Sequence, residues 1–130
     1  METGKNGLKY SEKVICEIPM KLPSCNEYIL ACRTNRYVGA KMKNETEDEI
    51  CFYIAKLPEF INPVTIHFHW VEKTKRRDLD GICFAKKFIL DALVKSGKLK
   101  DDNRKCVMAF TDTFQYGDEN KVILTIEERN

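Results

Sequence analysis

The stretch of this chain best equipped for chemistry is Arg76-Arg77-Asp78-Leu79-Asp80, answered downstream by Lys100-Asp101-Asp102-Asn103. Two carboxylates one residue apart repel each other when ionised. A hard divalent cation reverses the sign of that energy. Magnesium takes oxygen ligands, commonly one or two carboxylates completed by waters and substrate phosphate oxygens. If the chain leaves the preceding strand extended, Asp78 and Asp80 project to the same side. A D-x-D alone is common in ordinary loops. Beside a basic run, with a second acidic pair downstream, it points to metal-assisted chemistry on a phosphate.

Basic residues collect at Lys73, Lys75, Arg76 and Arg77, and again at Lys98, Lys100, Arg104 and Lys105, so that they flank the aspartates. Acid collects elsewhere, in Glu45-Thr46-Glu47-Asp48-Glu49. A net charge of +2 is too small to imply a nucleic-acid partner by itself, so the local placement carries that argument.

The elements that must position these residues follow from periodicity. Val14, Cys16 and Ile18 alternate with Ile15 and Glu17, which predicts a strand ending at Pro19. Turn chemistry at Leu22 to Asn26 leads into a short helix. A longer helix is expected from Tyr37 to Lys56, with Val38, Met42, Ile50, Tyr53, Ile54 and Leu57 on one face. Thr46 and Glu49 offer an alternative start as a capping box. Val64 to Val71 reads as a strand, with Val64, Ile66, Phe68 and Trp70 on one side and Thr65, His67 and His69 on the other.

A second main helix should cover Leu79 to Lys95 and stop at Ser96-Gly97. Its wheel places Ile82, Ala85, Ile89, Ala92 and Leu93 on the buried side, while Asp80, Lys87 and Asp91 lie within about 40° of one another on the opposite side. Lys87 there either faces a phosphate or forms (i, i+4) ion pairs with Asp91, which would itself pair with Lys95. Lys86 lies nearer the apolar arc, its stem along the core. Cys106 to Phe114 and Lys121 to Glu127 read as two strands joined by the turn at Gly117-Asp118-Glu119-Asn120. The order of elements predicts an α+β fold: one domain, a mixed sheet of about four strands and two main helices, with residues 1–12 as a flexible N-terminus and 13–130 as the domain.

Reach limits the site. A helix from Gly81 to Ser96 is about 22 Å long, and Gly97 to Asp102 can return roughly 20 Å at most. Asp102 therefore rejoins Asp78 and Asp80 barely, within one subunit, or comes from a partner subunit.

The 130 residues, 43% of them apolar and 32% charged, suit one core. No apolar run approaches the roughly 20 residues that span a bilayer. No secretory pattern opens the chain, so a cytoplasmic location is expected. Six cysteines without a C-x-x-C pair then read as reduced thiols, not as disulfides or zinc ligands. His67 and His69 share a strand face, but no third ligand is spaced to complete a metal site, and they read as structural.

Arg76-Arg77-Asp78-Leu79-Asp80, Lys87, Asp91-Ala92-Leu93, Gly97 and Asp101-Asp102 together resemble the signature of the RusA family of Holliday-junction resolvases. Asn26, following Pro23-Ser24, resembles that family's amino-terminal asparagine. The match is strong from Lys75 to Asp102 and elsewhere concerns only the order of elements. The resemblance implies a homodimeric, magnesium-dependent endonuclease, with manganese as a possible substitute, that nicks opposed strands of four-way DNA junctions in recombination and repair. It implies Asp78, Asp80 and Asp102 as metal-binding catalytic carboxylates with Asp101 beside them, Lys87 as active-site lysine, and Arg76 and Arg77, with Lys73 and Lys75, as DNA contacts. Two departures stand out. Gly81 replaces an asparagine common in the family, and the interval from Asp80 to the D-A-L segment is longer by three residues, which sets Phe84 against Lys87 for the lysine position. Two rival readings remain: a branched-DNA-binding protein with little catalysis, and a D-x-D transferase, for which no glycine-rich phosphate loop is present.

Overall fold

The structure, a computed structural model, describes residues 10–129. Alternating side chains dictate its sheet. The strands are β1 (Tyr10–Ile18), β2 (Val64–Glu72), β3 (Val107–Tyr116) and β4 (Lys121–Arg129), in the spatial order β1-β4-β2-β3. β4 runs antiparallel to both β1 and β2, whereas β2 and β3 are parallel. This is the mixed four-stranded sheet of a single α+β domain. On one face Ile66, Phe68, Trp70, Leu124 and Ile126 are buried, and the core lies there, against the helices. The other face carries Thr65, His67 and His69 toward solvent, as the period of two requires.

One expectation about the strands needs correction. Residues 10–12 belong to β1 and not to a flexible tail, while 1–9 lie outside the described residues. The two strands expected on either side of the Gly117–Asn120 turn are present as β3 and β4, and they are not neighbours in the sheet. β4 passes across the end of β2 and inserts between β1 and β2, because its alternate residues Val122, Leu124 and Ile126 are apolar enough for a central strand.

The helices are α1 (Cys25–Thr34), α2 (Arg36–Ile54), α3 (Leu79–Cys83) and α4 (Lys86–Lys95). Asn35 caps α2, its side chain accepting from the N–H groups of Tyr37 and Val38. Thr46 and Glu49 do not start a helix: Thr46 is buried in mid-α2, so the alternative capping box fails. The buried face of α2 is Gly39, Thr46, Glu47, Ile50 and Ile54, whereas Val38 is exposed. At Gly39 a Cβ would meet Cys32 Sγ at 2.6 Å, so only glycine lets α1 and α2 approach this closely.

The expected helix from Leu79 to Lys95 is broken at Phe84-Ala85. Around the break the backbone closes i→i+3 bonds, Ala85 N–H to Ile82 O and Lys87 N–H to Phe84 O. Phe84 turns toward the rings of Tyr28 and Phe88, each 6.0 Å away between centroids. The break lies within the interval that is three residues longer than in the RusA pattern. Gly97, at φ 79°, ends the helical stretch as expected.

All six cysteines are free. No helix of the described residues is long and apolar enough to cross a membrane.

Ser24 and Glu27 form a reciprocal capping box at the start of α1, a pattern overlooked in the sequence. Partial burial works to raise the Glu27 pKa, but the Ser24 hydrogen bonds and the Arg77 guanidinium outweigh it and hold the carboxyl below its usual range. A depressed carboxylate stabilises the fold above its unfolded pKa, and the contribution is lost as pH falls through the folded value. Ser24→Ala should cost about 1 kcal/mol at neutral pH, measured by urea unfolding. The gap to wild type should narrow as Glu27 is protonated. A gap that stays constant down to about pH 3 would remove Glu27 from the cap.

Candidate active site

Asp78 and Asp80 stand just beyond the end of β2, at the entry to α3. β2 stops at Glu72 and a six-residue loop, 73–78, follows. Asp78 is the N-cap residue of α3 with extended backbone, φ −69° and ψ 152°, and its side chain makes no cap hydrogen bond. Asp80 is already helical, so the two do not alternate as on an extended strand, and that expected geometry is corrected. One Asp80 carboxylate oxygen accepts from the Gly81 N–H at 3.0 Å. Both residues are exposed, and among the described residues no lysine or arginine forms an ion pair with either. A Cβ placed on Gly81 would meet nothing within 4 Å, so crowding does not impose glycine there.

The loop is anchored by Arg77. Its Nε and Nη2 donate to the two carboxylate oxygens of Glu72 at 2.9 and 2.7 Å, and Nη1 donates to Leu22 O at 2.8 Å. Glu27 lies 3.4 Å from the same Nη1. Arg77 and Glu72 side chains are only 14% and 12% exposed, so this guanidinium holds the fold together and is not turned toward solvent as a DNA contact. Lys73, Lys75 and Arg76 are exposed, and the Lys75 ammonium lies over the Tyr116 ring at 4.5 Å.

Asp101 and Asp102 lie apart from this pair. They line a hollow between α2 and α4 together with Lys43, Glu47, Asp91 and Lys95. The two Asp101 oxygens accept from Asp102 N–H and Asn103 Nδ2, which leaves the Asp102 carboxylate as the member with no described partner. The exposed cations Lys100, Arg104 and Lys105 flank it. Among the described residues no three His, Cys, Asp or Glu side chains gather closely enough to hold a metal ion. Among the described residues of one chain, then, the three-acid set is not assembled.

Lys87 is more than half exposed and lies 3.7 Å from Asp91, the (i, i+4) pair anticipated from the wheel. Lys95 departs from expectation and pairs with Asp48 at 2.8 Å. Asp91 is held more closely by Lys43, at 3.2 Å. Lys43 also donates to the buried Glu47. That bond, with help from Asp91 and against burial, pushes the Lys43 ammonium above its usual range. The spacing of Lys43 and Glu47, four apart on a helix, was the available signal for this cluster. Lys86 is enclosed: it donates to Asp112 at 2.7 Å with the rings of Phe68 and Phe110 beside it, and Trp70 Nε1 donates to the other Asp112 oxygen at 2.8 Å. His67 and His69 bond along β3 to Thr111, Thr113 and Gln115, in keeping with a structural role.

No protein-family model matches this chain, and neither does any curated protein. The RusA resemblance rests on the quoted residues alone.

The two adjacent arginines should respond differently to truncation. Arg77→Ala leaves the Glu72 carboxylate enclosed and unpaired, and should lower stability by about 3 kcal/mol in urea unfolding. Arg76→Ala, at an exposed side chain without a described ion pair, should leave unfolding unchanged. Equal unfolding midpoints for the two variants would refute the anchoring role of Arg77.

Proposed function

We propose that this chain is a magnesium-dependent, structure-specific endodeoxyribonuclease that nicks four-way junctions or other branched DNA in recombination and repair, acting as a homodimer in the cytoplasm. The observation that carries the reading is the exposed carboxylate pair Asp78 and Asp80, without a counter-cation among the described residues, beside the exposed cations Lys73, Lys75 and Arg76. Here the carboxylates and the cations stay separate, an arrangement suited to a metal on one side and phosphates on the other.

In the proposed site Asp78 and Asp80 hold the ion, with Asp102 as third carboxylate and Asp101 orienting it through the Asp102 N–H. A bound magnesium or manganese ion supplies an acidified water and offsets charge growing on the phosphate. Lys73, Lys75 and Arg76 fix the DNA backbone, contacts that position a duplex without reading its bases. Lys87, exposed on α4 and only loosely held by Asp91, is the lysine available to a phosphate oxygen, since Lys86 is enclosed and Phe84 has no charge.

The second reading, a branched-DNA binder with little catalysis, is favoured by the separation of Asp102 from Asp78 and Asp80 and by Gly81, whose open surroundings would admit asparagine.

Synthetic four-way junctions incubated with magnesium separate the two. Wild type should nick opposed strands. Asp80→Asn and Asp102→Asn should each slow nicking by on the order of 100-fold or more while retaining junction affinity in a mobility-shift assay. Unchanged rates in either variant would end this ligand assignment. Tight binding with no nicking under magnesium or manganese selects the binder.

A further inference from the structure

We propose that the cleft lined by Trp70, Leu79, Phe114 and Tyr116 takes a single unpaired nucleobase from the DNA strand lying at Asp78 and Asp80. The protein would then favour branches whose branch-point base is out of the duplex stack. This rests on the DNA substrate proposed above, whether the chain nicks that DNA or only binds it.

The cleft has a volume of about 260 Å³ and lies where the ends of β2 and β3 meet α3. Trp70 and Phe114 are register partners across those two strands, followed by Glu72 and Tyr116. Trp70 is buried and fixed, its Nε1 donating to Asp112 at 2.8 Å and its ring stacked on Phe68. Phe114 is half-buried beside it. α3 is too short to close over these rings: of its five residues only Ile82 is buried. Leu79 is left 55% exposed and Tyr116 44% exposed, both lining the same cleft. Single exposed apolar side chains are ordinary on a protein surface. Two of them on one aromatic cleft leave a place for a flat, largely apolar body. Glu72 and Arg77 also line it, but they satisfy each other, so neither presents an uncompensated charge to a ring.

The rim indicates what enters. Lys75 lines the cleft and holds its ammonium 4.5 Å over the Tyr116 ring, with Lys73 and Arg76 exposed on the same loop. An alkyl chain has nothing to offer this ammonium. A nucleobase offers it a second π face and carbonyl oxygens, and the phosphate on the same sugar meets the neighbouring cations. Stacking on an aromatic side chain is open to every base, because each has a π face. Leu79 stands between Asp78 and Asp80 in the chain, so a base held against it leaves its own phosphodiester beside those carboxylates. A base inside a duplex has both faces covered by its neighbours. To reach the cleft it must leave the stack, which costs least where it is unpaired or mismatched. A branch point supplies such bases.

A forked DNA with an unpaired 2-aminopurine at its branch point tests this, first in EDTA. Wild type should quench the 2-aminopurine emission by stacking and should bind the fork more tightly than a fully paired duplex of the same length. Tyr116→Ala should lose the quenching and weaken fork binding about 10-fold, with duplex affinity unchanged. Tyr116→Phe keeps the ring and should retain both. Leu79→Ala, at an exposed position, should also reduce the quenching, and it serves if circular dichroism shows that Tyr116→Ala fails to fold. Unaltered emission with wild type bound, or equal weakening of fork and duplex in Tyr116→Ala, overturns the base site. Magnesium is then added to the wild-type complex. Quenching without nicking removes the nuclease reading and leaves the base site standing, while nicking without quenching does the reverse. No binding of either DNA overturns both.

Discussion

The Arg77–Glu72 pair is the interaction on which the rest of the site depends. Glu72 is the last residue of β2, on the buried face, where an isolated carboxylate would be costly. Arg77 meets it with two parallel N–H donors, the geometry that makes such pairs strong. Its remaining reach goes to Leu22 O and Glu27, so a single guanidinium joins the end of the sheet to the start of α1. Residues 73–76 must then bow outward between two fixed points. That bow exposes Lys73, Lys75 and Arg76 and delivers Asp78 to the entry of α3. Lysine could not replace Arg77, because a point charge lacks the planar fork that spans both Glu72 oxygens.

Much of this was legible in the sequence, and what was not has physical causes. Strand faces were readable because burial alternates with a period of two, as Ile66, Phe68 and Trp70 show. The buried set Ile82, Ala85, Ile89, Ala92 and Leu93 was readable from the wheel despite the break at Phe84-Ala85, because one tightened turn displaces the wheel too little to invert it. The strand order was not legible, since nothing local in Gly117-Asp118-Glu119-Asn120 says whether the next strand returns beside β3 or crosses β2. The Arg77 anchor was hidden for a similar reason. Glu72 and Arg77 are five apart across a loop, a spacing with no periodic meaning, and their partner Leu22 is remote in sequence. The aspartates were legible as residue types, but not as a constellation.

Charge placement explains why these aspartates differ from the other acids around them. Glu27, Glu47, Glu72, Asp91 and Asp112 each have a cation within ion-pair distance, and several are substantially buried. These are structural pairs: removing one partner would leave a charge in a poor solvent. Asp78, Asp80 and Asp102 lie outside this network, exposed, with bases nearby in sequence yet not in contact. Exposed pairs contribute little to stability, so neutralising them would have gained the fold almost nothing. Left open, the carboxylate oxygens and the neighbouring basic side chains stay separate among the described residues.

The crossing of β4 over the end of β2 connects these observations to the shape of the sheet. Had β3 and β4 formed a hairpin beside β2, β4 would have been the edge and β3 would have been covered on both sides. Because β4 instead takes the central place, β3 is left outermost, parallel to β2, with its C-terminal end at the level of Glu72. Its outer edge and the loop that carries the aspartates therefore sit at the same corner of the molecule. An edge that is neither charged nor blocked is a liability in a monomer.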